Sequence, residues 1–182
     1  MPDDPRWLRL ARTQIGQTEV LGREDNPVIT GYWRRAGVVR RDHTVWTPQH
    51  DETPWCAAFI GAMLADSGIA GSHSEMARSY GRWGDAVATG TGAHRWASIP
   101  LGAIVVLNRP SAGPTRGHVG FASGAAERSV RLIGGNQNDS VSEAWLPKTR
   151  IVAVRWPTGE AASEYLLWSG GPPAGGRATR TG

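Results

Sequence analysis

The stretch Asp51-Glu52-Thr53-Pro54-Trp55-Cys56-Ala57-Ala58-Phe59 holds the chain's one cysteine, at the point where a polar loop turns into an apolar helix. Thr53 is a suitable N-cap and Pro54 suits a first turn, which puts Cys56 in the third helical position. Free backbone N–H groups and the positive end of the helix dipole favour a thiolate there, so an accessible, partly ionised nucleophile is expected. The competing reading is a core thiol, because free cysteine commonly behaves as a small buried hydrophobe. The helix continues through Ile60-Gly61-Ala62-Met63-Leu64 and stops near Gly68. Its small residues suit close packing on something flat, such as a sheet.

Upstream, the chain reads as helical. Asp4 and Pro5 open a helix with Trp7, Leu8, Ala11 and Ile15 on one face, and Asn26-Pro27 opens a second that ends near Gly37. A short helix is predicted from Ser74 to Trp83. Downstream of Gly84 the period changes: 84–98 reads as loop, and β-rich runs follow at 103–107, 118–123, 130–133 and 151–156, separated by turn residues. Helices first and strands afterwards predict an α+β fold with the nucleophile helix packed on an antiparallel sheet. Residues 1–156 form one expected domain. Residues 157–182 form a Gly/Pro-rich tail, with Glu164-Tyr165-Leu166-Leu167-Trp168 as an apolar island.

With 182 residues, 40% of them apolar, the chain can bury one good core. No apolar run reaches the ~18 residues of a membrane span. The first residues lack a basic segment followed by an apolar one, so no Sec-type signal peptide is expected. The formal charge of +4 favours anionic partners such as nucleic acid, lipid or wall polymer. The basic residues are scattered without an Arg/aromatic stripe, which argues against nucleic acid. Most of the nine tryptophans are expected in the core, with several free to line a carbohydrate or peptide groove.

Among five histidines, only His118 opens a strand, in Arg116-Gly117-His118-Val119-Gly120. A hairpin register that sets Ser123 opposite Arg131 also sets Phe121 opposite Ile133, Ala122 opposite Leu132, Gly120 opposite Gly134 and His118 opposite Asn136. The expected division of labour follows. Cys56 attacks, His118 moves the proton, and the Asn136 carbonyl fixes the imidazole tautomer. N–H groups at the helix start stabilise an oxyanion. Asp51, Trp55 and Gln137 are the expected substrate-binding residues, although Asp51 and Glu52 also simply favour the dipole. One cysteine without a second Cys or a paired His gives a poor zinc site, so no metal or other cofactor is expected.

The joined segments Pro54-Trp55-Cys56-Ala57-Ala58-Phe59, Gly117-His118-Val119-Gly120-Phe121 and Gly135-Asn136-Gln137 resemble the NlpC/P60 and CHAP group of peptidoglycan hydrolases, in particular its small phage- and prophage-associated members. The opening segments around Trp7-Leu8 and Asp25-Asn26-Pro27 are similar as well, so the resemblance spans residues 5 to 156. It implies a papain-like fold, a Cys56–His118 dyad with a variable third polar residue, and hydrolysis of an amide in the stem peptide or at the muramoyl–alanine link. Many CHAP members bind calcium through acidic residues upstream of the cysteine. Asp42 and Asp51 make no clear acidic loop, so calcium is not expected. A wall substrate and no signal peptide imply synthesis in the cytoplasm and action in the periplasm or cell wall after release. A phage-type endolysin dependent on a holin fits that, as does an antibacterial amidase effector exported by a secretion system. A non-catalytic wall-binding or virion module is the reading from another class.

Overall fold

A computed structural model describes residues 4–22, 24–39, 44, 50–87, 96, 98–109 and 117–162. Three α-helices come first: α1 (Arg6–Thr13), α2 (Pro27–Arg35) and α3 (Cys56–Ala65). A 3₁₀ turn at Ala77–Gly81 leads to the strands β1 (Asp85–Ala86), β2 (Ile104–Asn108), β3 (Gly117–Ala125), β4 (Ser129–Gly134), β5 (Ser142–Pro147) and β6 (Ile151–Trp156). The strands form one antiparallel sheet in the order β1-β6-β2-β3-β4-β5. The chain is therefore α+β, helices first. No helix among the described residues is long and apolar enough to cross a membrane. The expected role of the tail from 163 onward, with its island at 164–168, lies outside the described residues.

α3 decides how the layers fit. Every residue from Cys56 to Leu64 is buried, as expected of a helix that is apolar all round. α3 lies between α2 on one side and β3 and β4 on the other. Phe59 links these layers through edge contacts with Tyr32 of α2 at 5.4 Å and Phe121 of β3 at 6.3 Å. Ala36, which follows α2, comes so near that a Cβ on Gly61 would lie 2.7 Å from the Ala36 Cβ.

Two helix starts differ from expectation. Asp4 does not cap α1; Pro5 holds the N-cap position, and the Asp4 carboxylate pairs with Arg12 Nε at 2.7 Å. Thr53 does not cap α3 either. Trp55 holds that position with φ −117° and ψ 12°, so Cys56 is the first helical residue and not the third. The Trp55 ring explains the late start. It is buried, stacks on Tyr32, and lies so close to Gly135 that a Cβ there would meet Cζ3 at 2.4 Å. Its backbone is thereby held outside the helical region. The expected cap of α2 is present: the Asn26 side chain accepts from the Val28 N–H at 2.9 Å.

The sheet adds two strands beyond those expected. β5 alternates buried and more exposed residues and closes one edge beside β4, and the two-residue β1 closes the other. The hairpin β3–β4 keeps Phe121 opposite Ile133 and Ala122 opposite Leu132, but a bulge at Ser123 places Gly124 opposite Arg131. The Ser123 hydroxyl donates to the Arg131 carbonyl at 3.2 Å, which holds the extra residue in place.

The Gly61 contact gives a direct test of this packing. Gly61→Ala should lower stability, because overpacking costs about 1–3 kcal/mol and exceeds the roughly 1 kcal/mol of helix propensity gained. The measurement is the urea midpoint; a raised midpoint would show that α2 yields freely.

Candidate active site

The polypeptide leaves the ladder at Gly134, the last residue of β4. Asn136, Asn138 and Asp139 then take left-handed backbone conformations, with φ of 56°, 52° and 55°, which Asn and Asp tolerate better than other non-glycine residues. The loop is tied down on both sides. Gln137 N–H donates to Ser140 O at 2.9 Å, and Glu19 N–H donates to Asp139 O at 2.9 Å. This curl turns Asn136 away from His118. Its amide Nδ2 donates to Glu19 Oε1 at 2.9 Å. The expectation that Asn136 orients the histidine is corrected accordingly.

Gln137 takes that position instead of serving as a substrate-binding residue. It is 1% exposed, and its Oε1 lies 3.0 Å from His118 Nε2. Its Nε2 donates to the Ser142 carbonyl at 2.7 Å and to the Ser142 hydroxyl at 3.2 Å. A carbonyl only accepts. The NH₂ end of the amide must therefore face Ser142, and the oxygen must face the histidine. His118 Nε2 then carries a proton and donates it, leaving Nδ1 as a bare lone pair. Nδ1 is buried and has no hydrogen-bond partner. Burial, the charge of Arg109 and that of Arg150 lower the His118 pKa from 6.5 to about 4, against the opposing hydrogen bond that His118 donates to Gln137. His118 is thus a neutral imidazole with one free acceptor.

Cys56 opens α3, which packs on β3, the strand that carries His118, and no hydrogen bond joins the thiol to His118 Nδ1. The Val119 backbone amide, next to His118, stabilises the thiolate form of Cys56, as do the amides of Ala57 and Cys56 itself. Arg109, one residue beyond β2, acts on Cys56 and His118 alike. Yet Cys56 is 6% exposed, and burial raises its pKa above the ordinary thiol value despite these favourable groups. The expected accessible, partly ionised thiol is corrected: the resting pair is a neutral thiol and a neutral imidazole.

The other expected substrate-binding residues hold the scaffold. Asp51 is fully buried, and its Oδ2 accepts from the N–H groups of Val20 at 2.9 Å and Asn26 at 2.8 Å, fastening the loop before α2 to the approach to α3. Trp55 is fully buried and donates its indole N–H to Glu19 Oε1 at 2.7 Å. Glu19 thus joins Trp55 to Asn136, and burial raises its own pKa, with the charges of Asp139, Asp51 and Glu52 adding to that. Neither Asp51 nor Trp55 presents a free face to a substrate. A metal ion could be held by Asp25, His50 and Glu52, which offer ligand atoms within 4.8 Å of one another. One of them is already in use, since Asp25 Oδ1 accepts the Asp51 N–H at 2.8 Å.

Two signals pointed to Gln137. Gly-Gly-Asn is a turn signal, which ends the ladder before residue 136. Ser142-Glu143-Ala144-Trp145-Leu146 alternates as a strand, and that strand supplies the carbonyl that fixes the Gln137 amide.

The buried neutral imidazole makes stability depend on pH. Unfolded histidine protonates near 6.5 and His118 in the fold near 4. Its contribution is whole above about 6.5 and is lost as pH falls to about 4, on the order of 3 kcal/mol. His118→Gln, which does not titrate, should flatten that part of the acid limb in urea melts between pH 7 and 4. Parallel pH profiles for the two proteins would contradict the buried neutral state.

No protein-family model matches the chain and no curated protein matches it significantly, so the geometry of Cys56, His118 and Gln137 is what bears on function.

Proposed function

We propose that the protein is a cysteine-dependent amide hydrolase acting on cell-wall stem peptides or the muramoyl–alanine link, with the papain-like arrangement that the NlpC/P60 and CHAP resemblance implies. The observation that carries this reading is the fixed tautomer of His118, whose Nδ1 is buried and unpaired, one residue from Val119, whose amide interacts with the only cysteine. An imidazole of purely structural use would normally have both nitrogens satisfied.

The chemistry proceeds in two halves. In the first, His118 Nδ1 takes the Cys56 proton as sulfur attacks the amide carbonyl. The developing oxyanion is met by N–H groups at the start of α3, where the earliest helical bond runs from Phe59 N–H to Trp55 O at 2.9 Å. The amides of Cys56 and Ala57 precede it and have no helical acceptor. The C–N bond breaks, and the amine leaves with the proton from His118. In the second half, His118 deprotonates water, which attacks the thioester and returns the thiol. Gln137 positions the imidazole throughout without moving a proton.

A phage-type endolysin is the form of this reading the resemblance favours, with an exported antibacterial effector as the variant that differs only in its route to the wall. A second reading has one observation in its favour. The buried, protonated thiol suits a non-catalytic wall-binding or virion module.

Digestion of purified sacculi with mass analysis of the released fragments separates these readings. Cys56→Ala and His118→Ala should abolish release while leaving the melting transition in place. Gln137→Ala should lower kcat by roughly 10- to 1,000-fold, since an orienting group is partly replaceable. Asn136→Ala should cost far less in kcat and act mainly on stability through Glu19 and Trp55. No release by the wild type, with Cys56→Ala no different, would leave only the module.

A further inference from the structure

Three arginines gather where β2 ends and β3 begins, next to His118 in the ladder. Asn108 pairs with Gly117, and Leu107 pairs with His118. Arg78 Nη2 donates to the Asn108 side-chain oxygen, Arg150 Nε donates to the Asn108 backbone oxygen at 2.9 Å, and Arg109 follows directly in sequence. The Arg78 stem also runs close over Gly117, where a Cβ would meet its Cγ at 3.2 Å. Among the described residues no carboxylate forms an ion pair with any of the three. Arg109 Nε and Nη2 are buried without a hydrogen-bond partner, as is Arg78 Nε.

Such a cluster needs an explanation, since buried guanidinium N–H groups without acceptors are costly. Activation of the thiol does not provide one. A positive charge lowers the pKa of Cys56 and of His118 together. Proton transfer from sulfur to Nδ1 depends on the difference between the two, so the effects largely cancel. Nor does the fold use the charge: burial and Arg109 together lower the pKa of Arg150, so the cluster repels itself. What it lacks is an anion, and the fork of a guanidinium matches a carboxylate.

We propose that Arg109, flanked by Arg78 and Arg150, is a carboxylate subsite beside Cys56, so that the preferred substrates are peptides with a free carboxylate close to the scissile amide. This rests on Cys56 being the nucleophile of an amide hydrolase. It goes further by naming a residue that sorts acidic peptides from their amidated counterparts.

Alkylation of Cys56 tests the subsite without needing a substrate. Iodoacetate and iodoacetamide both form a C–S bond to the sulfur and expel iodide, while the thiol proton passes to the base. They differ in carrying a carboxylate or a carboxamide. Any effect of Arg109 on thiolate content is shared by both reagents and drops out of their rate ratio. The iodoacetate to iodoacetamide ratio for the native protein should exceed that for N-acetylcysteine by at least about tenfold. Arg109→Gln should return it to within about threefold, and Arg109→Lys, which keeps the charge, should retain most of it. A native ratio equal to that of N-acetylcysteine overturns the proposal, as does one that Arg109→Gln leaves unchanged. Protection of Cys56 from both reagents also overturns it, because the subsite must open onto the sulfur. If the ratio behaves as expected but sacculi and defined muropeptides are not cut, the hydrolase reading fails and the anion subsite stands.

Discussion

The carbonyl of Ser142 accepts hydrogen bonds and cannot donate them. From this the chemistry of the seam follows. Gln137 must turn its NH₂ toward Ser142, at 2.7 Å, and its oxygen toward His118. The imidazole must then hold its proton on Nε2 and leave Nδ1 bare. Ser142 is the first residue of β5 and pairs with Gly134 at the end of β4. The tautomer of a histidine on β3 is thus set by a strand two places away in the sheet. Loss of the β4–β5 pairing would free the Gln137 amide to flip, and the imidazole would lose its single defined state.

Two effects compete at Cys56, and their sizes decide the outcome. A helix start favours an anion by about 0.3–1 kcal/mol when exposed and up to ~2 when partly buried. Withdrawing an ion from water costs several kcal/mol even after relaxation. Burial therefore wins, and the thiol pKa rises although three backbone amides and Arg109 favour the thiolate. The same burial lowers His118. Both partners rest neutral because both are buried, so under the proposed function the nucleophile would be generated during the reaction.

The helices, four of the six strands among the described residues and the packing of the Cys56 helix on the β3 side of the sheet were legible in the sequence, because each rests on a local signal: Asn26-Pro27, the apolar run after Cys56, the β-branched runs. The departures came where long-range packing overrode a local preference. Thr53 is a better cap than Trp55 by chemistry, yet the Trp55 ring between Tyr32 and Gly135 sets where the helix starts. A strict period of two carried the β3–β4 register past Gly134, where left-handed residues end it, and so selected Asn136 over its neighbour. Asp51 and Trp55 looked available to a substrate because sequence position does not disclose burial. Their hydrogen bonds to the loop before α2 and to Glu19 occupy them with holding the cysteine in place.

A neutral resting pair and an uncompensated arginine cluster are physically linked. Arg109 opposes protonation of His118 by its charge. An anion bound to that guanidinium cancels much of the field at the imidazole and makes Nδ1 a stronger base. It also withdraws the help that Arg109 gives to the thiolate. Under the proposed function that loss would matter little at the moment of attack, because the negative charge would then be passing from sulfur to the carbonyl oxygen and toward the amides at the start of α3. Occupied by a carboxylate, the site therefore favours imidazolium with an oxyanion. Empty, it favours neither ion. A substrate that brings its own negative charge would in this way switch on the base that acts on it, and an uncharged one would meet the pair in its resting state.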